Sequence, residues 1–350
     1  MQKILSIERR EDGVYGFYSA EYPGEDYKIS KHGSVDEALQ FYAAAAGETL
    51  VVITSADPDV LSCRHAAFTA ESLGYQQTLF TDYLEAATYY RLAFSKSIAM
   101  TDFAVLHQYG NRLRMIHGRA NIGVRTTVDV SEEILDIEIA PDATAAEKDD
   151  ILYSFAESHL TPEIRLFYFT GDAFRDGFMN RSLGVLCSGR RVYQESNLFI
   201  FGGFAYAKLR YDEELNRRYA IHTTAMAGEI VEVPVETRAG GTCRSLVQPQ
   251  TRLFDPEPGF AVLTQTASVI PVFHKDTDGT MIRKMDIPVA HMVRGLSKPT
   301  RLRLYADFTA DGREVRVTVE DEGFGRFLKS GGMRVTCRME RKGAGVCGNS

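Results

Sequence analysis

The pattern of the sequence changes near residue 229, and this change constrains the fold because it separates two kinds of secondary structure. Before it, buried strand-like runs such as Leu50–Thr54 alternate with helix-like segments such as Thr144–Ser158. After it, short strand-like segments follow one another with turn residues between them, as in an antiparallel sandwich. We therefore predict an α/β domain over residues 1–218, a β-sandwich over residues 219–330 and a flexible tail over residues 331–350.

The α/β part divides into two similar halves, about residues 1–98 and 99–218. Each half opens with a predicted β-hairpin, and the turns of these hairpins lie at residues 11–13 and 110–111. Buried strands and amphipathic helices follow each hairpin. The approximate pairing of the halves predicts a duplicated α/β fold.

The composition excludes several classes of protein. The chain has 350 residues, of which 44% are hydrophobic and 25% charged, so it can bury a core and is globular. Its net charge of −7 offers little to a phosphate backbone, so we expect no nucleic-acid partner. The N-terminus lacks the apolar run of a signal peptide, and no apolar stretch reaches about 18 residues, so we expect no membrane span.

The cysteines indicate the compartment. They lie far apart and form no CxxC pair, which favours reduced thiols over a zinc or redox site. We therefore expect a cytoplasmic protein without a bound metal. The cysteines are Cys63, Cys187, Cys243, Cys337 and Cys347.

Three segments resemble the superfamily of actin, sugar kinases and DnaK-type chaperones. Residues 50–94 are similar to the chaperone segment that begins with an ITVPA-like strand. Residues 166–209, with LFYFTGDAF and FGGFAYAKL, resemble the adenosine segment and its closing helix. Residues 228–325 resemble the β-type substrate domain of the chaperones. The resemblance implies an α/β plus all-β protein: a reduced actin-like domain, of the duplicated ribonuclease H-like type, followed by a DnaK-type β-sandwich.

A closer resemblance is to an uncharacterised bacterial family of actin-like proteins. The block LCSGRRVYQESNLFIFGGFAYA, residues 186–207, is similar to the hallmark of that family. VEDEGFG, residues 319–325, is similar to the end of its β-domain. That family has no assigned activity, so the resemblance supports the fold and leaves the function open.

The hairpins that hold phosphate in actin-like ATPases are altered here. The resemblance places Glu8 near the usual Asp, and Arg9 and Arg10 where a Gly would admit phosphate. In the second hairpin, His107 could act as a general base or pack as a structural histidine, and no carboxylate remains for Mg²⁺. Phosphoryl transfer depends on positioning and on charge neutralisation by the metal, so we predict no catalytic residues and no metal site.

The sequence also predicts the remnant of a nucleotide-binding pocket. A glycine that ends a buried strand permits close approach of a ligand, and paired glycines mark a tightly packed helix. The alternative is that these glycines serve the fold alone. We expect no cofactor, with ATP as the one candidate. The predicted cofactor-binding residues are Gly171, Asp172, Phe174, Gly202 and Gly203.

Two candidate sites for protein partners also follow. Arg190 and Arg191 can hold a phosphate or an acidic partner through bidentate hydrogen bonds, or they can lie at a solvated helix end. Val269, Ile270 and Val272 correspond to the apolar channel for an extended peptide that the resemblance implies, or they form sandwich core.

The main hypothesis is a non-catalytic pseudo-ATPase of chaperone-like architecture that binds proteins as a scaffold or assembly component. The outer lobes that close over the nucleotide in this superfamily have little room here, for example only residues 122–142 in the second half. One alternative is a nucleotide-dependent peptide-binding chaperone with a divergent ATP site. Another is a self-assembling actin-like structural subunit.

Overall fold

The chain forms two compact units in a computed structural model, Met1–Thr224 (unit 1) and Ala225–Ser350 (unit 2). The structure describes residues 2–24, 26–94, 100–110, 112–140, 143–171, 174, 180–224, 226–249, 251–254, 259–294, 299–309, 314–324 and 329–341.

The first sheet of unit 1 has the strand order β3-β2-β1-β4-β5. Strands β1, β4 and β5 run parallel, whereas β2 pairs antiparallel with β1 and β3. The strands are β1 Lys3–Arg10, β2 Gly13–Ser19, β3 Ile29–His32, β4 Thr49–Ser55 and β5 Gln77–Asp82. The helices of this half are α1 Val35–Phe41, a 3₁₀ helix Ala43–Glu48, α2 Val60–Ser72 and α3 Tyr83–Phe94.

The second sheet repeats this arrangement and adds one strand, in the order β10-β9-β6-β7-β8-β11. Its hairpin strands are antiparallel, and β9 and β10 run parallel to β6 as β4 and β5 do to β1. The strands are β6 Phe103–Tyr109, β7 Arg112–Asn121, β8 Thr126–Glu138, β9 Leu166–Thr170, β10 Arg191–Gln194 and β11 Tyr219–Thr223. The helices are α4 Ala145–His159, α5 Arg181–Leu186, α6 Leu198–Leu209 and α7 Glu213–Arg218.

The two sheets share the strand order and directions that a duplicated fold requires, and the mixed α/β class predicted for this part is confirmed. The predicted boundary at residue 218 is wrong by one strand. Strand β11 pairs in parallel with β8, so the second sheet ends only at Thr223. The predicted boundary follows the charged stretch of residues 210–218. Most of this stretch is helix α7, whose charged side chains are exposed.

The core of unit 1 lies between its sheets. Helices α3 and α6 pack against each other there, and one cluster of buried residues joins both helices to both sheets. Ten residues of α3 are buried, as expected of a helix covered on several sides. On the far side of the second sheet, α4 packs Leu152 and Phe155 into a separate cluster.

Helices α1, α2 and α4 begin at polar caps. The side chains of Ser34 and Asp59 accept hydrogen bonds from the backbone N–H groups of Glu37 and Ser62. Thr144 forms a capping box with Glu147. In the sequence, Ser34 followed by Glu37 three residues later already has the pattern that predicts a helix start. No helix in the part of the chain that the structure describes combines the length and apolar character needed to cross a lipid bilayer.

Unit 2 consists of two four-stranded antiparallel sheets, ordered β13-β12-β15-β16 and β14-β17-β18-β19. Alternate residues of both sheets, among them Val231, Val272, Leu302 and Val317, form one buried cluster. The strands are β12 Glu229–Thr237, β13 Gly240–Val247, β14 Phe260–Thr264, β15 Val269–Asp276, β16 Met281–Pro288, β17 Thr300–Phe308, β18 Glu314–Asp321 and β19 Arg334–Glu340.

The predicted flexible tail is wrong for residues 334–341. Strand β19 pairs along its length with β18, from Arg334 to Glu340, and buries Met339. Immediately after β19, Arg341 Nε lies 2.5 Å from Oε1 of the buried Glu229. The Gly-, Lys- and Arg-rich composition concealed an edge strand whose alternate residues are exposed because they lie on the outer face of the sheet. Residues 342–350 of the predicted tail, including Cys347, lie outside the described residues. Among the cysteines that the structure describes, none forms a disulfide.

We expect the buried His274 to make unit 2 sensitive to acid. It is 1% exposed on β15, and burial lowers its pKa further than attraction to Glu229 raises it. Below its unfolded pKa of about 6.5, the unfolded chain therefore binds more protons than the folded chain. We expect unit 2 to lose stability as the pH falls from 6.5 toward the folded pKa, by about 1 kcal/mol per pH unit.

Urea unfolding followed by circular dichroism between pH 5 and pH 8 measures this loss; the chain has no tryptophan. Replacing His274 with methionine removes the titrating group, so His274→Met should flatten this part of the profile. An unchanged pH dependence in the variant would contradict the assignment.

Candidate functional site

A cavity of about 170 Å³ lies where the two hairpins of unit 1 face each other. It is placed by strand ends: β1 ends at Arg10, β9 ends at Thr170, and the hairpin turns follow β1 and β6. Openings of this kind, at the carboxyl ends of parallel strands, are common ligand sites in α/β folds. The lining residues are Glu8, Arg10, Glu11, Asp12, Tyr83, His107, Gln108, Gly110, Thr170, Gly171, Ser196 and Phe199.

An ion pair between Glu8 and Arg10 occupies the floor of this cavity. The two residues are two apart on β1 and therefore lie on the same face of the strand. Arg10 Nη2 is 2.7 Å from Glu8 Oε2, and the same nitrogen donates to Ser196 O and Asn197 Oδ1, both at 3.3 Å. Burial opposes the charge of Arg10, but attraction to Glu8 outweighs it and holds the pKa of Arg10 above its usual value.

Aromatic rings close the cavity on another side. The Tyr83 ring stacks on Phe199, with centroids 3.7 Å apart and planes 8° from parallel. The Tyr83 hydroxyl donates to Glu8 Oε1 at 3.1 Å, so the ring is tied to the ion pair. The ring of His107 meets both aromatic rings edge-on, at 5.6 Å from Tyr83 and 5.3 Å from Phe199. These contacts leave the rings little freedom to move aside.

His107 is a packed histidine rather than an exposed base. It is 1% exposed, and its Nε2 lies 2.7 Å from Glu132 Oε1. Arg114 Nη1 lies 3.2 Å from the other oxygen of Glu132 and 3.8 Å from Asp57 of the first half. Burial raises the pKa of Glu132, but hydrogen bonding from His107 and attraction to Arg114 outweigh it, and the pKa is lowered.

The two halves of unit 1 are thus joined across the cavity by their own side chains. Arg10 reaches Ser196, Tyr83 stacks on Phe199, and Asp57 approaches Arg114. In enzymes that close on a substrate, the corresponding walls must separate and rejoin. Here separation would break the hydrogen bond from Arg10 to Ser196 and the stacked pair of Tyr83 and Phe199.

The size and charge of the cavity limit what it can bind. Pockets for drug-sized ligands measure about 300–1,000 Å³, whereas this cavity holds about 170 Å³. Among the described residues that line it, the carboxylates of Glu8, Glu11 and Asp12 outnumber the one arginine, Arg10. Arg10 pairs with Glu8, and Asp12 pairs with Lys31, so Glu11 remains as the uncompensated charge of this described lining. A polyphosphate therefore meets net negative charge. Among the residues that the structure describes, no group of three His, Cys, Asp or Glu side chains is arranged to hold a metal ion.

Of the predicted cofactor-binding residues, the structure brings Gly171 to the cavity. Its φ of +109° is accessible mainly to glycine, and a Cβ there would lie 3.0 Å from Gln108 Cβ. Asp172 lies outside the described residues. Phe174 is fully buried in the outer core beside Phe169, and Gln194 donates to its carbonyl, so its placement as a pocket residue is wrong.

Gly202 and Gly203 do not contact the cavity either. They lie inside α6, which begins at Leu198. A Cβ on Gly202 would be 2.1 Å from Ala86 O, and one on Gly203 would be 2.3 Å from Thr54 Oγ1. The glycines therefore let α6 approach α3 and the first sheet, which is the structural alternative that the sequence left open.

The predicted partner-binding residues are separated from the cavity. Arg191 begins β10 and Ser196, which lines the cavity, follows its end, about 16 Å away along the strand. Arg191 is exposed, while Arg190 is partly buried and donates to Thr161 O at 3.4 Å. Burial and the nearby charge of Arg165 lower the pKa of Arg190.

The predicted peptide channel on β15 is wrong for two of its three residues. Val269 is 44% exposed, but Ile270 and Val272 are buried in the sandwich core at 7% and 0% exposure. Strand β15 pairs on both sides, with β12 and β16, so its backbone has no free edge for an added strand.

Sequence reasoning missed Tyr83, Phe199 and Glu132. Tyr83 directly follows β5 with no loop between, and Phe199 belongs to the apolar run LFIFGGF, so both have the pattern of ordinary core residues. Glu132 lies within β8 and meets His107 from 25 residues away. No local signal distinguishes these side chains, because their contacts depend on the packing of the two halves.

Comparison with known proteins gives a family but no activity. A family model described as "Family of unknown function (DUF5716) C-terminal" matches residues 36–224, more than half of the chain. A second model, "Domain of unknown function (DUF8552)", matches residues 230–340. No curated protein matches the chain.

Solved structures similar to this chain include proteins of the actin-like ATPase fold. A ROK family transcriptional regulator, a homologue of the E. coli MLC protein, has 9% identity and a TM-score of 0.37, covering 62% of this chain and 80% of its own. A Bacteroides thetaiotaomicron protein with actin-like ATPase fold and unknown function has 10% identity and a TM-score of 0.32, with 59% and 96% covered. A glucokinase from an Antarctic psychrotroph has 8% identity and a TM-score of 0.33, with 59% and 98% covered.

Proposed function

The chain belongs to DUF5716, a family of unknown function, and we propose that it is a pseudo-ATPase: an actin-like protein that binds other proteins as a scaffold and does not hydrolyse ATP. The observation that carries this proposal is the side-chain filling of the cavity between the hairpins. Arg10 lies within it, held by Glu8, Ser196 and Asn197. A phosphate group entering there would have to displace a cation from a buried carboxylate.

A scaffold role is consistent with side-chain contacts that hold the two halves of unit 1 together. The contacts of Arg10 with Ser196 and of Tyr83 with Phe199 cross from one half to the other. They hold the cavity walls in one arrangement, which suits a fixed surface for partners better than a nucleotide-driven cycle of closure.

The proposal also includes a chaperone-like domain layout. Two antiparallel sheets follow an α/β unit, in the order found in DnaK-type proteins. The burial of Ile270 and Val272 argues against a peptide channel on β15 and therefore against the nucleotide-dependent chaperone alternative.

The test is a direct measurement of ATP binding and turnover. We expect isothermal titration calorimetry with ATP and Mg²⁺ to show no binding tighter than about 1 mM, because the cavity is too small and carries net negative charge. We expect a phosphate-release assay to show no turnover. Saturable binding together with magnesium-dependent hydrolysis would overturn the proposal.

A matched variant separates a structural from a catalytic role for Glu8. Glu8→Gln keeps the size of the side chain but removes the charge that Arg10 faces. We expect it to lower the free energy of unfolding by about 2 kcal/mol, the range for a hydrogen bond to a charged group, and to leave ATP turnover absent. Hydrolysis in the wild type that this variant abolishes would instead identify Glu8 as catalytic.

A further inference from the structure

A second cleft, of about 810 Å³, lies on the other side of the first hairpin. It opens between the N-terminal ends of α1 and α2, next to the end of β4 and the turn that follows β1. It lies on the outer side of the first sheet, opposite the layer of α3 and α6. Nothing in the proposed pseudo-ATPase cavity accounts for it.

The floor of this cleft is apolar. Val14, Ile53, Ala66 and Phe80 line it and are buried in the unit. A concave surface with an apolar floor and a few polar groups at its edge is the usual form of a binding site.

Helix α2 extends the apolar surface beyond the cleft. One face of α2, with Cys63, Ala66 and Ala70, is buried in the unit. A different face carries Leu61, which lines the cleft, and Phe68, and these side chains are 77% and 70% exposed. The two residues are seven apart, so they lie on one side of the helix about 10 Å from each other. An occupant that covers both must be longer than a small molecule.

The rim of the cleft is acidic. Glu11, Asp36, Asp57 and Asp59 line it and outnumber the two lining arginines, Arg9 and Arg10. Some of these charges have partners nearby: Arg10 pairs with Glu8, His65 lies 3.1 Å from Asp36, and Arg114 lies 3.8 Å from Asp57. Asp59 caps α2, and hydrogen bonds from Ser62 lower its pKa, so its carboxylate stays ionised. The charge around the apolar floor therefore complements a basic partner.

We propose that this cleft and the outer face of α2 bind an amphipathic basic segment of a partner protein. Large apolar side chains of the segment fill the floor and cover Leu61 and Phe68, while its lysines or arginines face the acidic rim. The inference rests on the proposed protein-binding function and names the surface and the chemistry of the partner. The segment is helical or extended, and its apolar stripe spans at least two helical turns.

The test uses two synthetic probes and measures fluorescence anisotropy. One probe is a fluorescein-labelled helical peptide of about 18 residues with leucine on one face and lysine on the other; the second carries glutamate in place of lysine. We expect the lysine peptide to bind the full chain and the glutamate peptide to bind at least tenfold more weakly. Leu61→Ser combined with Phe68→Ser should weaken binding of the lysine peptide at least tenfold.

Charge and surface controls make the result specific. Glu11→Lys should weaken binding about three- to tenfold at low salt, and the difference should shrink in about 0.5 M salt, where surface charges are screened. Leu183→Ser removes an apolar side chain that is 45% exposed on α5, outside the cleft, and should leave binding unchanged. Equal binding of the two peptides, or equal loss in the Leu183 variant, would overturn the proposal.

Two further outcomes are decisive. If the lysine peptide does not bind and sedimentation velocity shows a dimer that the Leu61 and Phe68 changes abolish, a second copy of the chain is the occupant and the proposal is wrong. The peptide assay contains no nucleotide, so a finding of ATP turnover would overturn the pseudo-ATPase assignment without deciding this one.

Discussion

Replacing Arg341 with methionine is expected to lower the free energy of unfolding of unit 2 by about 3–5 kcal/mol. Its Nε lies 2.5 Å from Glu229 Oε1, and the Glu229 side chain is 1% exposed. Methionine keeps much of the packing volume but leaves the carboxylate buried without its cation. Breaking a buried pair from one side is costly because the remaining charge stays out of water.

Two matched variants test this explanation. Changing Glu229 to methionine together with Arg341 removes both charges, so Arg341→Met/Glu229→Met should recover most of the lost stability. Arg338→Met removes a side chain that is 66% exposed and 3.8 Å from Glu314, and should change stability by no more than about 0.5 kcal/mol. Chemical unfolding followed by circular dichroism measures all three. A single Arg341 variant as stable as Arg338→Met would show that residue 341 is part of a frayed tail after all.

Replacing Gly202 with alanine is expected to destabilise unit 1 by about 2–3 kcal/mol, even though alanine favours helices by about 1 kcal/mol. The added Cβ would lie 2.1 Å from Ala86 O, a backbone atom of α3 that cannot turn aside. Helices α3 and α6 would have to move apart, and their contact fills the centre of the unit between the two sheets.

Gly184→Ala is the control for this variant. Gly184 lies in α5, and among the described residues outside its own turn of helix no atom lies within 4 Å of a Cβ built there. Alanine at this position should leave stability unchanged or raise it by up to about 1 kcal/mol. Thermal unfolding of the two variants compares them directly. Equal stability of the Gly202 and Gly184 variants would mean that α6 does not depend on a glycine at its crossing with α3.

Gly171 lies at the cavity as predicted, whereas Gly202 and Gly203 do not, and the difference depends on how much a local pattern can determine. Gly171 was predicted near the cavity because a strand that ends in glycine is a local signal, and the structure places it there. Gly202 and Gly203 carry a signal just as local, but two glycines in a helix admit either a ligand or a neighbouring helix. Only the position of Ala86, 116 residues earlier in the chain, decides between them.

The same reasoning applies to the altered hairpins. That Arg9 and Arg10 stand in the first hairpin is plain from the sequence, but an exposed charged turn and a buried ion pair have the same local pattern. Arg10 is held by Glu8 beside it and by Ser196 and Asn197 from the second half, whereas Arg9 is exposed. Successive side chains of β1 point to opposite faces, so Arg10 faces the second half while Arg9 faces solvent. This assignment can be made only once the position of the second half is known.

Local patterns therefore determined the α/β and all-β parts, the two hairpins and the Ser34 cap, because hydrophobic periodicity and capping act between residues close in the chain. The tertiary structure alone decided that β11 completes the second sheet, that residues 334–341 are ordered against β18 and Glu229, and that side chains fill the cavity. Each of these depends on strand pairing or on a charge brought near from a distant segment. The burial that gives such contacts their energy exists only once the sheets have packed.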